Sequence, residues 1–347
     1  MLEFLYASQD QSGIQALSSQ VKIDPVPSGA KYRIILPRAI DLAIKDIFDD
    51  HYSGARQLAL KALSALKLSI AQFPLERWSW PEIVNCAWYI SEARPSMKSA
   101  LRTAVLRGLH EIKDIYPSPD ANERLDQVIS EEQTALDRIA RHFVQYVVSN
   151  FPYGVSILTL SNSSTIAAAL RALFESSRSP RIELTILESR PLLEGLNLAK
   201  SLLPQKPDHA TVEIAIDAAG AYFASAANLT LIGSDHINPY NGDVKNKIGS
   251  VAVAVAATQT LAISSTDKLG PVEMDEPIEE NEEREVRELW KVDGLEGVTV
   301  RNPYFEWVKG ENVDAYVTER GILGLTELKD IYSQRLQWEE IWNVLDS

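Results

Sequence analysis

Residues 156–188 read SILTLSNSSTIAAALRALFESSRSPRIELTILE. SILTL (156–160) and IELTILE (182–188) are short, apolar and β-rich, and STIAAALRALFES between them has helical composition. A strand, a helix and a second strand in close succession form a β-α-β unit, whose two strands pair in parallel. The same alternation continues downstream. TVEIAID (211–217), NLTLIGSD (228–235) and TLAIS (260–264) read as further strands, separated by EGLNLAKSLL, AGAYFASA and KIGSVAVAVAA. This pattern predicts a doubly wound parallel sheet in an α/β fold. VAVAVAATQTLAI (251–263) is apolar enough to be expected buried on all sides.

Upstream the period is different. RAIDLAIKDIFDD and GARQLALKALSALKLSI repeat apolar residues at three- and four-residue spacing, as do PEIVNCAWYISEA and SMKSALRTAVLRGLHEI. Amphipathic helices carry that spacing. Ser118-Pro119-Asp120 is a helix start signal, and the helix it opens runs to Ser149, with Leu125, Val128, Ile129, Leu136, Ile139 and Phe143 on one side. The period changes near SNFPYG. Two domains are therefore expected: residues 1–148, mainly helical, and residues 149–347, α/β. Residues 1–30 read as a short strand or an arm. The acidic run 273–288, EMDEPIEENEEREVRE, reads as a solvated face.

A length of 347 residues suits two domains, and 45% hydrophobic with 24% charged residues is ordinary globular composition. Thirty-four basic against 48 acidic residues give a net charge of −14, which disfavours a phosphate backbone, so no direct nucleic-acid partner is expected. Cys86 is the single cysteine, which excludes an intrachain disulfide framework and Cys-based zinc. Neither a signal peptide nor a membrane span is read, and the expected location is cytoplasmic.

In open α/β sheets ligands bind beyond the carboxyl ends of the strands. After SILTL come Ser161, Asn162, Ser163, Ser164 and Thr165, small polar residues at a helix start, which is an anion site or plain capping. After IELTILE come Ser189, Arg190 and Pro191, then Glu194-Gly195. Arg190 suits a phosphate or a carboxylate. After NLTLIGS come Asp235, a carboxylate able to act as acid or base, and His236. Asn246 and Lys247 are expected to begin the next helix and to point at the same crevice, joined by Lys268 after TLAISSTD. No G-x-x-x-x-G-K-[ST], G-x-G-x-x-G or G-x-S-x-G is present, and the five histidines show no H-x-H or H-E-x-x-H spacing. No metal and no cofactor are expected.

ILTLSNSST, ESRPLLEG, GSDHI and NGDVKNKIG occur in this order. They resemble the family uniting the alpha, beta and delta regulatory subunits of translation initiation factor 2B with two sugar-phosphate isomerases, of methylthioribose 1-phosphate and ribose 1,5-bisphosphate. RNPYFEW and VTERG extend the resemblance to about residue 325, and SGARQLALKAL and ARPSMKSAL continue it more weakly into the helical half. It implies an N-terminal helical domain, a Rossmann-like C-terminal domain and a homodimer formed through the latter. The isomerases' catalytic Cys and Asp correspond to Ser161 and Asp235, their Asn-Lys pair to Asn246 and Lys247, and a ligand-binding Arg to Arg94. Their early Arg before Gly-Ala is replaced by Ser53.

A serine hydroxyl needs an adjacent base, and the sequence shows no obvious one for Ser161, His236 being the alternative left open. The leading expectation is therefore a non-catalytic, regulatory-subunit-like protein of the initiation factor 2B family. It would bind a sugar phosphate or nucleotide through Arg94, residues 162–165, Arg190, Asn246 and Lys247, with other initiation factor 2B subunits as further partners. The alternative is an aldose-1-phosphate to ketose-1-phosphate isomerase with Asp235 and Ser161 catalytic. A second alternative is a stand-alone metabolite sensor.

Overall fold

The computed structural model describes residues 36–50, 53–71, 79–94, 97–270 and 297–345. The readings for residues 1–30 and for the acidic run 273–288 lie outside the described residues. Two compact units emerge. One holds the described residues up to 133 and those from 333 on; the other holds residues 134–332.

The first unit is helical. Its helices are α1 (Arg38–Asp49), α2 (Ala55–Ala71), α3 (Trp80–Ser91), α4 (Lys98–Ile112) and the first part of α5 (Asp120–Asn150). The three- and four-residue spacing becomes a buried stripe: Ile40, Ile44 and Ile47 on α1 are at most 2% exposed. At the start of α3 the Ser79 N–H donates to Glu82 Oε2 at 2.7 Å, which satisfies a donor the helix leaves unpaired. Ile341, Trp342 and Leu345, from the end of the chain, are buried in the same core as Leu66, Ile83, Ile90 and Leu101. Cys86 lies in this core, where burial pushes its thiol up to about 12.

The second unit begins inside α5, a single helix of 31 residues, and its sheet begins at Gly154. The strands are β1 (Gly154–Thr159), β2 (Arg181–Leu187), β3 (Ala210–Ala215), β4 (Leu229–Ile232), β7 (Thr260–Ile263), β9 (Ala315–Thr318) and β10 (Gly321–Leu323). Their order across the sheet is β10-β9-β7-β4-β1-β2-β3. Every pairing is parallel except β10 with β9. The intervening helices are α6 (Ser164–Glu175), α7 (Glu194–Leu202), α8 (Gly220–Ala226) and α9 (Ser250–Ala256), and α10 (Leu325–Glu339) closes the order.

Alternation along the strands feeds two cores. Ile157 packs with Ile166, Leu170 and Leu198, while Leu158 and Leu160 pack with Ala224 and Val253. This is the doubly wound sheet that the periodicity predicts, in the Rossmann-like form that the resemblance implies. Chain order reverses between β1 and β4, so the crevice at their carboxyl ends is the switch point.

Two local expectations need correction. Asn246 and Lys247 do not begin a helix. They end β6 (Val244–Lys247) in a small antiparallel sheet of order β5-β6-β8, with β5 (His236–Ile237) and β8 (Phe305–Val308). Gly242, at φ 77°, turns the hairpin, and Gly249, at φ 99°, ends the extended run, so the helix starts only at Ser250. Nor is residues 251–263 a wholly buried run. Val253 is buried but Val255 on the opposite side of α9 is 64% exposed. Among the described residues no helix is long and apolar enough to cross a membrane.

Candidate functional site

Three non-glycine residues among those described have left-handed backbone: Ser161 (φ 65°), Ser189 (φ 60°) and Leu193 (φ 56°). Each such residue costs about 1–3 kcal/mol, and such strain collects where geometry serves function. Ser161 follows β1; Ser189 and Leu193 flank the loop after β2. The two loops are tied, since the Ser161 N–H donates to Ser189 Oγ at 2.7 Å. Asp217, after β3, fixes the second loop by accepting from the N–H groups of Ser189 and Arg190 at 2.8 and 2.7 Å.

This scaffold delivers a carboxylate to Ser161. Leu193 leads into α7, whose first residue is Glu194. Ser161 Oγ donates to Glu194 Oε2 at 3.0 Å. Lys247 Nζ lies 3.2 Å from the same oxygen and 3.3 Å from the centre of the Tyr304 ring. The Lys247 side chain is only 4% exposed, and that of Glu194 23%. A buried ammonium beside a carboxylate and an aromatic face keeps the carboxylate oriented. The serine thus has the acceptor that its chain neighbours do not reveal. Glu194 is the residue of this cluster that sequence reasoning missed, although ESRPLLEG contains it. His236 is not that base: its Nε2 bonds the Gly270 carbonyl at 2.8 Å, and burial, the larger influence, depresses its pKa.

Gly233, directly after β4, lets the other wall close in. A Cβ there would fall 3.2 Å from both Asn246 Oδ1 and Ser163 Cβ. Asn246 is itself held, donating through Nδ2 to Ser250 Oγ at 2.8 Å. Ser163 caps α6, accepting from the Ile166 N–H at 3.4 Å. Ser164 and Thr165 occupy the first turn of α6, where helical N–H groups lack intrahelical partners and attract anions. Asn162 and Ser164 are exposed.

Asp235 stands at the carboxyl end of β4, with its N–H on the Lys245 carbonyl at 2.8 Å and Lys268 as its cationic neighbour. The fold thus gathers Ser161, Ser163, Asn246 and Lys247 around Gly233 and Glu194, and sets Asp235 at the adjoining strand end. Arg190 is exposed on the β2–α7 loop. Arg94 belongs to the helical unit, just beyond α3. Among the described residues no group of three His, Cys, Asp or Glu side chains is placed to hold a metal ion.

A hydroxyl on a charge-paired carboxylate, a helix N-terminus and a further carboxylate at a switch point suit proton transfer on a small anionic ligand. Known proteins share this arrangement of chain. The model of the initiation factor 2 subunit family matches residues 51–324. A ribose 1,5-bisphosphate isomerase of Methanocaldococcus jannaschii is 27% identical over 272 residues, covering 76% of this chain and 84% of that protein. A methylthioribose-1-phosphate isomerase of Geobacillus kaustophilus is 30% identical over 249 residues, covering 68% and 70%. In fold, the chain is like the crystal structure of the Pyrococcus horikoshii translation initiation factor eIF-2B, with a TM-score of 0.63 at 24% identity over 83% of this chain and 98% of that one.

These findings correct the leading expectation. The expectation of a non-catalytic, regulatory-subunit-like protein rests on a serine without an obvious base, whereas the relatives above are named isomerases. The physical reason for the error is Glu194, which reaches Ser161 only through the folded loop.

Proposed function

This chain belongs to the initiation factor 2 subunit family, and on that premise we propose that it is an aldose–ketose isomerase acting on a ribose 1-phosphate. The observation that carries the reading is the pair Ser161–Glu194, 3.0 Å apart, with Lys247 on the same carboxylate oxygen. The net reaction moves the hydrogen on C2 of the sugar to C1 and the proton of the 2-hydroxyl to the ring oxygen, as the bond between C1 and the ring oxygen breaks, the ring opens, and C2 and its oxygen become the ketone carbonyl. Ser161 Oγ takes the carbon-bound hydrogen as a proton while its own proton passes to Glu194, and the reverse transfer delivers a proton to C1. Asp235 accepts the hydroxyl proton and returns one to the ring oxygen. The N–H groups of Ser164 and Thr165 hold the phosphate at the start of α6. Asn246 orients sugar hydroxyls.

In this reading the unit of residues 134–332 carries the site, and the described residues up to 133 with those from 333 on form the helical unit. The protein works as a cytoplasmic homodimer with a sugar phosphate as its small-molecule partner. The test is turnover of ribose 1,5-bisphosphate and of methylthioribose 1-phosphate by purified full-length protein, followed by phosphorus NMR. Turnover of at least one is expected, falling about 10²- to 10⁴-fold in Ser161→Ala and Glu194→Gln. Folded wild-type protein that converts neither substrate at millimolar concentration sinks the proposal.

A further inference from the structure

The peptide group joining Ser234 to Asp235 is held at both ends. Its N–H donates to the Lys245 carbonyl at 2.8 Å. Its carbonyl accepts a hydrogen bond from Lys268 Nζ. Lys268 comes from a different strand end, the turn Thr266–Lys268 that follows β7. That turn is fixed in its own right, because Glu319, beyond β9, accepts from the N–H of Thr266 at 3.0 Å and from its hydroxyl. Three strand ends are thereby linked, β9 to β7 to β4, and the link terminates at the carboxylate-bearing residue of the site. Ser234 is 3% exposed, and its hydroxyl has no hydrogen-bond partner among the described residues. Its side chain therefore does nothing to anchor the segment, and the peptide is oriented by Lys268 and Lys245.

We propose that Lys268 is a positioning residue of the isomerase site: by pinning the Ser234–Asp235 peptide it aims the Asp235 carboxylate at the sugar. The inference rests on the isomerase reading. A lysine suits the task because a charge-assisted donor binds a carbonyl more strongly than a neutral one. Burial pushes the Lys268 ammonium below the ordinary lysine range, and the Asp235 carboxylate opposes that shift. The other titratable groups on the adjoining segments are His236, which bonds the Gly270 carbonyl, Lys245, Asp267 and Glu319. Lysine and aspartate therefore depend on each other. Asp235 opposes the effect of burial on Lys268, and Lys268 holds the backbone that carries Asp235.

Two readouts on the full-length protein test this. In turnover assays Lys268→Met is expected to lower kcat about 10- to 150-fold with KM little changed, the loss of one charged hydrogen bond. Lys268→Arg keeps donor and charge, so it retains activity and moves the alkaline limb of the pH–rate profile to higher pH. A merely structural role would lower the folded fraction and leave that limb in place. Wild-type kcat and an unmoved alkaline limb in these variants overturn the proposal. The second readout needs no turnover. Competitive acetylation of lysine amines with acetic anhydride, read by mass spectrometry across pH, should show Lys268 titrating below the other lysines. Asp235→Asn should lower it further, since the carboxylate stabilises the ammonium. If wild-type protein converts neither sugar phosphate, the isomerase reading fails, and this titration alone decides whether the pair exists. A Lys268 amine indifferent to Asp235→Asn overturns it.

Discussion

Gly195 lies so close to Leu187 that a Cβ at position 195 would fall 1.8 Å from the Leu187 carbonyl oxygen. The start of α7 is thereby pressed onto the end of β2, and Glu194 is carried to Ser161 by that close approach. Gly195→Ala must push the helix away from the strand. Overpacking of this kind costs about 1–3 kcal/mol, and here the relief also displaces the Glu194 carboxylate. The expected result is a lower denaturation midpoint together with loss of turnover beyond the loss of folded protein. Chemical denaturation and initial rates measured on the same preparation check both.

The Glu194–Lys247 contact should be visible in stability without any substrate. Lys247 is buried, so Glu194→Gln leaves its ammonium facing a neutral amide. Removing one partner of a buried pair is costly, whereas removing both is less so. A double-mutant cycle with Lys247→Met should return a coupling of about 0.5–3 kcal/mol. Additive single changes would show that the two charges do not support each other.

His236 gives a pH dependence of known sign. Burial, with a smaller contribution from Lys245, depresses its folded-state pKa below the ordinary 6.5, while the Gly270 carbonyl opposes the shift. As pH falls, the unfolded chain therefore takes up the proton first, and protonation favours unfolding. The contribution of the neutral imidazole is complete well above pH 6.5 and is lost as pH drops through that value and below. His110 shifts in the same direction, again chiefly through burial, so wild type alone does not isolate the effect. The difference in urea midpoint between wild type and His236→Gln should shrink from pH 7.5 to pH 5. A constant difference would show that His236 titrates alike in both states.

The parts of the molecule legible in the sequence are those set by local periodicity. The strands around 156–160 and 182–188 and the helix opening at Ser118-Pro119-Asp120 announce themselves because apolar spacing within one element decides which face is buried. β6 does not: VKNK has neither β-branched enrichment nor clean alternation, and only its pairing with β5 and β8 makes it a strand. Small residues after each strand point to the crevice, and the fold gathers Ser161, Ser163, Asn246 and Lys247 there. Glu194 escapes notice because its partner is 33 residues away and is met only through two left-handed turns. The return of residues from 333 onward to the helical unit is likewise a long-range event, since nothing local in LQWEEIWNVL says which core Trp342 enters.

That return yields the last prediction. Trp342 is 6% exposed and meets Trp88 edge-on, with ring centroids 5.0 Å apart. The Arg102 guanidinium lies 5.4 Å from the Trp88 ring and 5.9 Å from that of Trp342, and it is fixed by Glu339, which accepts from its Nε at 3.1 Å. The last residue of α10 and the segment after it thus contribute an ion pair, an indole and a cation–aromatic contact to the helical core. Truncating a buried Trp to Ala typically costs about 3–5 kcal/mol. Trp342→Ala should therefore lower the unfolding midpoint of the helical unit by an amount comparable with a whole domain's margin, whereas Trp342→Phe, which keeps an aromatic ring against Trp88, should cost less. Arg102→Met should fall between them, since it removes the ion pair and the cation while preserving an apolar side chain. Far-ultraviolet circular dichroism through a guanidinium titration measures all three. A Trp342→Ala midpoint equal to wild type would mean that the end of the chain adds nothing to the helical core.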